Sequence, residues 1–316
     1  TNPNGIFSAK LYLDDQPQLS FVLDSIDYDE TVYMNAHIDY KEKANGGSYL
    51  QHLSQLPGNK GPVYKQFGSN GVISFTDTVI HQISIDVKDA GNNTSQINFA
   101  IQYSDSLASL LPVRLPSYHF SPNAVNELQK PDFEMYLPEG CLYDSILPLY
   151  FQTNPIVADA VSDLHQVNDA SLPLHNDITA KVKPNKAIAA EWKDKLVMIR
   201  SSRGNTIRKA QFENGWLQAR FRDFGTFRVF VDAAAPQINE LGKGDTINLS
   251  SASRILFTPT DNFGIPKFRA ELDSQWIRFT NDKSRNWIYT FDERWPYGVH
   301  ELKVTVEDMV GNTTTK

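Results

Sequence analysis

The chain has 316 residues, 41% hydrophobic, 11% aromatic and 21% charged, a length for two or three separate cores rather than one. A formal net charge of −7 supplies no long-range attraction for phosphate backbones or anionic lipid, which argues against nucleic-acid and membrane-surface roles. The longest apolar run, around Leu107 to Leu115, is broken by Pro112 and falls far short of the roughly 20 residues that span a bilayer, so no transmembrane segment is expected.

The sequence opens on Thr1-Asn2-Pro3-Asn4, with neither an initiator Met nor a basic and apolar leader, and reads as a processed protein or an excised piece. Along the chain, a helix is predicted at Tyr49–Leu56, where Leu50 and Leu53 precede Pro57-Gly58. Alternation of Ile83, Ile85 and Val87 with Ser84, Asp86 and Lys88 predicts a half-buried strand. A Pro- and Ser-rich stretch, Ser104–Pro131, reads as a linker. Beyond it, Phe133–Leu137, Leu147–Gln152, Ile178–Val182, Lys195–Arg200, Gln211–Phe221 and Phe227–Val231 predict a sandwich, with a hairpin turning at Asp223-Phe224-Gly225 and a short helix at Ala187–Trp192. A second linker, Asp232-Ala233-Ala234-Ala235-Pro236, leads to strands at Pro236–Ile238 and Arg254–Phe257. A hairpin of Trp276–Phe279 with Trp287–Phe291 follows, and then the alternating strand Leu302, Val304, Val306.

An internal repeat organises these elements. His81–Asp89 aligns without gaps on His300–Asp308, and Asn93-Thr94 on Asn312-Thr313. Gly5-Ile6, Leu13-Asp14 and Gln16 align on Gly264-Ile265, Leu272-Asp273 and Gln275. The different offsets place an insertion in the first copy, over about 24–71. Asp-x-x-x-Asn-Thr after an alternating strand is a turn, since Asp and Asn tolerate tight backbone geometry and bond neighbouring amides. The second copy has two strands before Gly264 that the first copy lacks, so the first sandwich is expected to miss its initial strands and to expose a core edge. The fold expected is all-β: three consecutive immunoglobulin-like β-sandwich modules over 1–103 (truncated, with the insertion), 104–235 and 236–316.

Few residues point to chemistry. Cys141 is the single cysteine, which excludes a disulfide framework or a Cys-based zinc cage and leaves the role of a small buried hydrophobe. Among seven histidines there is no His-x-His or His-Glu-x-x-His; His165 and Asp169 form a His-x-x-x-Asp pattern that chance supplies readily. His81 and His300, at equivalent places in the repeat, are read as structural. Acidic loops at Asp89–Asn93, Asp261-Asn262 and Asp308–Asn312 are of the oxygen-rich kind that holds calcium, although solvated turn carboxylates are the commoner outcome. No Gly-x-Ser-x-Gly elbow is present. Trp276, Trp287, Tyr289, Trp295 and Tyr297 offer either a sugar-stacking platform or, more simply, core and cross-strand pairs. The four Asn-x-Ser/Thr matches, at Asn92, Asn93, Asn248 and Asn312, are read as turn residues. No catalytic, cofactor-binding or metal residue is assigned.

Asn4-Gly5-Ile6-Phe7-Ser8, then Ser25–Thr31, Tyr33-Met34-Asn35 and Ile38-Asp39-Tyr40, resemble the region downstream of the catalytic domain in lysostaphin-type (LytM-like) zinc metallopeptidases of Gram-negative bacteria. Leu142-Tyr143-Asp144, Leu172–His175, Asp194-Lys195, Phe224-Gly225 and Asp273–Trp276 extend the resemblance along the chain. It implies a non-catalytic β-sandwich tail of a periplasmic or envelope-associated peptidoglycan peptidase. Zinc would belong to an upstream catalytic domain, and that domain, an envelope protein or peptidoglycan would be the partner. The insertion is the candidate contact surface, or else a cap on the open sandwich. A carbohydrate-binding or adhesin-like surface module is the alternative, and a self-contained hydrolase with a carboxylate pair in a deep cleft is a third reading.

Overall fold

The computed structural model describes residues 5–104, 119–244, 246–281, 285–293 and 295–316. The apolar run around Leu107–Leu115 lies outside them. The described residues are nearly all β, in five antiparallel sheets.

The N-terminal sheet is built from β1 (Ser8–Leu13), β2 (Gln16–Val22), β3 (Tyr64–Gln66), β4 (Ile80–Lys88) and β5 (Thr94–Gln102), in the order β3-β2-β1-β4-β5. β1 and β2 join through Asp14-Asp15, both with positive φ (48° and 62°), the two-residue turn whose twist suits a hairpin. β4 and β5 join through the predicted Asp-x-x-x-Asn turn, in which Asp89 Oδ1 accepts from the Gly91 and Asn93 amides.

The middle sandwich comprises β6 (Asn126–Lys130), β7 (Phe133–Leu137), β8 (Tyr150–Thr153), β9 (Leu164–Val167), β10 (Pro173–Val182), β11 (Leu196–Ser201), β12 (Asn205–Lys209), β13 (Gln211–Glu213), β14 (Trp216–Asp223) and β15 (Gly225–Val231). Its sheets, β13-β14-β10-β7-β6 and β12-β11-β15-β9-β8, enclose one core around Phe133, Leu137, Ile178, Leu196, Phe221 and Phe227, all buried. β6 occupies the end of the stretch expected to be a linker. Asp223-Phe224-Gly225 is not a hairpin: β14 and β15 belong to opposite sheets. Phe224 is fully buried at this corner, and the backbone swings from one sheet to the other at Gly225 (φ 149°), where a Cβ would lie 2.4 Å from the Ser201 carbonyl oxygen.

The C-terminal part holds β16 (Arg254–Phe257), β17 (Lys267–Leu272), β18 (Gln275–Ile277), β19 (Thr280–Asn281), β20 (Trp287–Thr290), β21 (Leu302–Glu307) and β22 (Thr313–Thr315). Its sheets are β16-β20-β19 and β18-β17-β21-β22. The hairpin expected between Trp276–Phe279 and Trp287–Phe291 is shifted: β18 pairs with β17 across the Asp273-Ser274 turn, and β20 pairs with β19 and β16 in the other sheet. Among the described residues helix is confined to a 3-10 segment Tyr28–Ala36, one α-turn Tyr40–Ala44 and a 3-10 turn Ala190–Trp192. Tyr49–Leu56 is not helical; Gln51 there bridges to Ile38 in an antiparallel pairing. No helix of the described residues is long and apolar enough to cross a membrane.

Candidate functional site

The two repeat copies superimpose in local design. In each, a turn Asp bonds the first residue of the repeated segment: His81 Nδ1 lies 2.7 Å from Asp14 and His300 Nδ1 2.6 Å from Asp273. The other carboxylate oxygens accept from the Gln82 and Glu301 amides. These histidines tie a hairpin turn to the next strand, which accounts for their repetition.

The copies differ in what covers the sheet. Cα pairing puts Leu11, Ile85 and Ile97 in one row and Leu13, Ile83 and Phe99 in the next, so these residues share one face. At the β2 end that face is closed. Phe21 and Leu19 are buried, and the Phe21 ring meets His37 (centroids 4.6 Å) and Tyr64 (6.1 Å), both from the insertion. His37 itself is fully buried, its imidazole held by Tyr64 OH at 2.8 Å and its pKa lowered to about 4 by burial and the His52 charge. Among the described residues the cover ends toward β5: Ile97 is 54% and Phe99 44% exposed, and Ile85 and Val87 are only half-buried. Their repeat counterparts Val304 and Val306 are fully buried beneath β16 and β20, packed with Ile255, Phe257 and Phe279.

The insertion does cap the open sheet, and its far side is occupied as well. Gly58 N donates to the Tyr143 carbonyl, Tyr143 OH donates to the Val32 carbonyl, and the Tyr33 ring stacks on His175 at 4.5 Å. Arg203 reaches Asn45. A Cβ on Gly58 would meet the Leu142 carbonyl oxygen at 2.1 Å, so this position needs glycine for close approach. The insertion thus joins the N-terminal sheet to the middle sandwich, and a good part of the expected contact surface is consumed within the chain.

The remaining sequence candidates are dispersed. His165 is buried on β9, stacked on Phe133 and bonded to Tyr150 OH at 2.9 Å, while Asp169 caps the Ser171 amide; the two do not converge. Cys141 is buried, its thiol pushed up to about 11 by desolvation. Trp287 stacks on Phe268 (4.6 Å, 7°), and Tyr289 packs on Trp295. Only Trp276 and Tyr297 of the five aromatics stand exposed, so the five do not form one platform. A shallow concavity of about 420 Å³ on the outer face of β6, β7 and β10 is lined by Glu127 and Glu134, held by Gln129 and Lys181 respectively.

Where the middle sandwich meets the C-terminal sheets, Asp232, Asp261 and Asp308 converge, each offering an oxygen within 4.8 Å of the others. Two of these lie in the acidic loops singled out in the sequence; Asp232 was read only as linker. Asp232 is fully buried with no hydrogen-bond partner of good geometry on either carboxylate oxygen, and Asp261 Oδ1 is likewise unpartnered. Burial first, then the Asp308 and Asp261 charges, raises the Asp232 carboxyl to about 6; the Asn262 side chain and the Ala234 amide offset a lesser part. Asp308 is bonded by the Val310 and Asn312 amides and the Asn312 side chain, which also donates to the Asp232 carbonyl at 3.0 Å.

A Zu5-like domain family model matches residues 117–232, the middle sandwich up to this aspartate. No curated protein matches the chain. Among solved structures, a Ca2+-stabilized adhesin that helps an Antarctic bacterium reach out and bind ice aligns over 99% of this chain and 88% of its own, at 10% identity and a TM-score of 0.14. A likeness at that level carries no argument about fold or function.

Proposed function

We propose that the chain is a non-catalytic, adhesin-like binding module of the bacterial envelope that engages a protein partner through the uncovered part of its N-terminal sheet. The observation that carries this reading is the apolar face of Ile85, Val87, Ile97 and Phe99, of which Ile85 and Val87 have fully buried counterparts, Val304 and Val306, in the repeated copy. An apolar face beside β5, an edge strand among the described residues, suits a partner that adds β-strands with alternating apolar residues. The all-β build and the Zu5-like middle support a non-catalytic role. In the form implied by the resemblance to LytM-like metallopeptidases, the partner is a peptidase domain or another envelope protein, with zinc held there and not in this chain.

The test is amide hydrogen exchange in β4 and β5, in the isolated chain and in the protein as it exists in the envelope, with a photo-crosslinker at position 99. Docking predicts slowing of at least tenfold in β5, a crosslink to one defined protein, and loss of both in Val87→Asp. Equal exchange in the two settings, or a crosslink that survives Val87→Asp, overturns the reading. Retention on purified peptidoglycan that Val87→Asp leaves unchanged would place binding elsewhere on the molecule.

A further inference from the structure

We propose that Asp232, Asp261 and Asp308 form a calcium site that clamps the C-terminal sheets to the middle sandwich. The three side chains arrive from separate segments: Asp232 directly after β15, Asp261 in the loop leaving β16, and Asp308 directly after β21. Their ligand atoms lie within 4.8 Å of one another, and opposite ligands of one calcium ion are about 4.6 to 5.2 Å apart. The donors are all carboxylate oxygens, with no imidazole or thiolate in the group, which suits a hard cation and not zinc.

The decisive feature is Asp232. A carboxylate with no exposed surface and no hydrogen-bond partner of good geometry on either oxygen, facing two more acids, is one of the costliest arrangements a protein interior can hold unless a cation sits there. Among the described residues no Lys or Arg makes an ion pair with any of the three. The surrounding bonds orient the group: Asp261 Oδ2 accepts from the Phe263 and Gly264 amides, which leaves Oδ1 buried and available as a ligand. Asn312 ties the Asp308 carboxylate to the Asp232 and Ala234 carbonyls. The neighbouring contact between the Phe230 and Phe263 rings, centroids 5.7 Å apart, and the Lys195 bond to the Val310 carbonyl keep the two parts in register beside the site. Magnesium is disfavoured because it demands near-ideal octahedral geometry and keeps several waters, whereas Asp232 has no exposed surface.

The experiment is calorimetric titration of calcium chloride into chelator-treated protein, with thermal unfolding in calcium and in chelator. One ion per chain is expected to bind, and the C-terminal transition should rise by about 5 °C or more at ten times the dissociation constant. Asp232→Asn and Asp261→Asn, which preserve shape, should each weaken binding at least tenfold. Asp89→Asn, at the repeat position equivalent to Asp308, should leave it unchanged. Identical unfolding in calcium and chelator, equal affinity for magnesium, or a rise in melting temperature of Asp232→Asn that is the same in both media would overturn the assignment; the last would mean that a shared proton, not a metal, relieves the acids. The outcome is independent of whether the N-terminal face binds a partner.

Discussion

β4 and β21 carry the same alternation and the same closing Asp turn, and His81 and His300 stand at matching places in the repeat, yet one strand ends as half-exposed sheet and the other as core. The difference lies wholly in what is laid on top. β16 and β20 bring Ile255, Phe257 and Trp287 over β21, whereas the insertion covers only the β2 side of the N-terminal sheet. An apolar strand face is therefore not by itself evidence of burial; it states that something should cover it, within the chain or from outside.

The sharpest way to break this comparison is to place one charge at equivalent positions. Val306→Asp buries a carboxylate in a sealed core and should cost more than about 4 kcal/mol, enough to unfold the C-terminal sheets. Val87→Asp, at the half-exposed counterpart, should leave the N-terminal sheet folded by circular dichroism and cooperative melting. If both variants unfold alike, the N-terminal face is covered in the free chain and the binding proposal loses its footing.

Aromatic truncations grade the same contrast. Phe257→Ala should cost about 3 to 5 kcal/mol in denaturant unfolding, because it leaves a cavity beneath β17, while Phe99→Ala should cost about 1 kcal/mol or less. Trp287→Ala, which removes the stack on Phe268, should resemble the first, and Trp276→Ala should stay within about 0.5 kcal/mol of the parent. A smaller effect is expected where the N-terminal sheet meets the middle sandwich. Gly58→Ala drives a methyl into the Leu142 carbonyl and should speed exchange of the Gly58 and Tyr143 region without unfolding either sheet.

The repeat made the common design legible before any coordinates. The gapless match of His81–Asp89 on His300–Asp308 located the paired hairpins β4-β5 and β21-β22. One expected hairpin is absent and another is shifted to β19-β20, because a short polar or turn-like break between alternating strands looks the same whether the chain folds back in one sheet or crosses to the opposite one. At Asp223-Phe224-Gly225 the available sign was the break in alternation, with two consecutive buried positions, Phe224 and Gly225. Asp232 was passed over because its role depends on two partners far away in sequence. One local signal existed: like Asp89 and Asp308, it is an Asp placed immediately after an alternating strand. The closing of the insertion onto Tyr143 and His175 had no sequence signal, since it depends on a glycine's missing side chain and on one ring stack.

The subtlest test concerns the repeated His–Asp pairs, whose surroundings differ in one respect. His81 is flanked by two carboxylates, Asp14 at 2.7 Å and Asp77 at 3.1 Å, whereas His300 has Asp273 at 2.6 Å and the Tyr297 carbonyl at 3.1 Å. Both imidazoles are raised above their ordinary value, chiefly by the bonds to Asp14 and Asp273, and those two aspartates are lowered, chiefly by the Gln82 and Glu301 amides. A raised histidine contributes stability that is fully present below pH 6.5 and is lost as pH rises through its folded value. A lowered aspartate contributes stability that is present above pH 3.8 and is lost as pH falls through its folded value. Each pair therefore supports its hairpin best between those limits. Two full charges beside His81 hold a proton more firmly than one charge and one dipole beside His300, so proton NMR titration of the imidazoles should find His81 deprotonating at the higher pH. Asp77→Asn should bring the two curves together, and a His81 that already titrates at or below His300 in the parent would show that the second carboxylate is screened away by solvent.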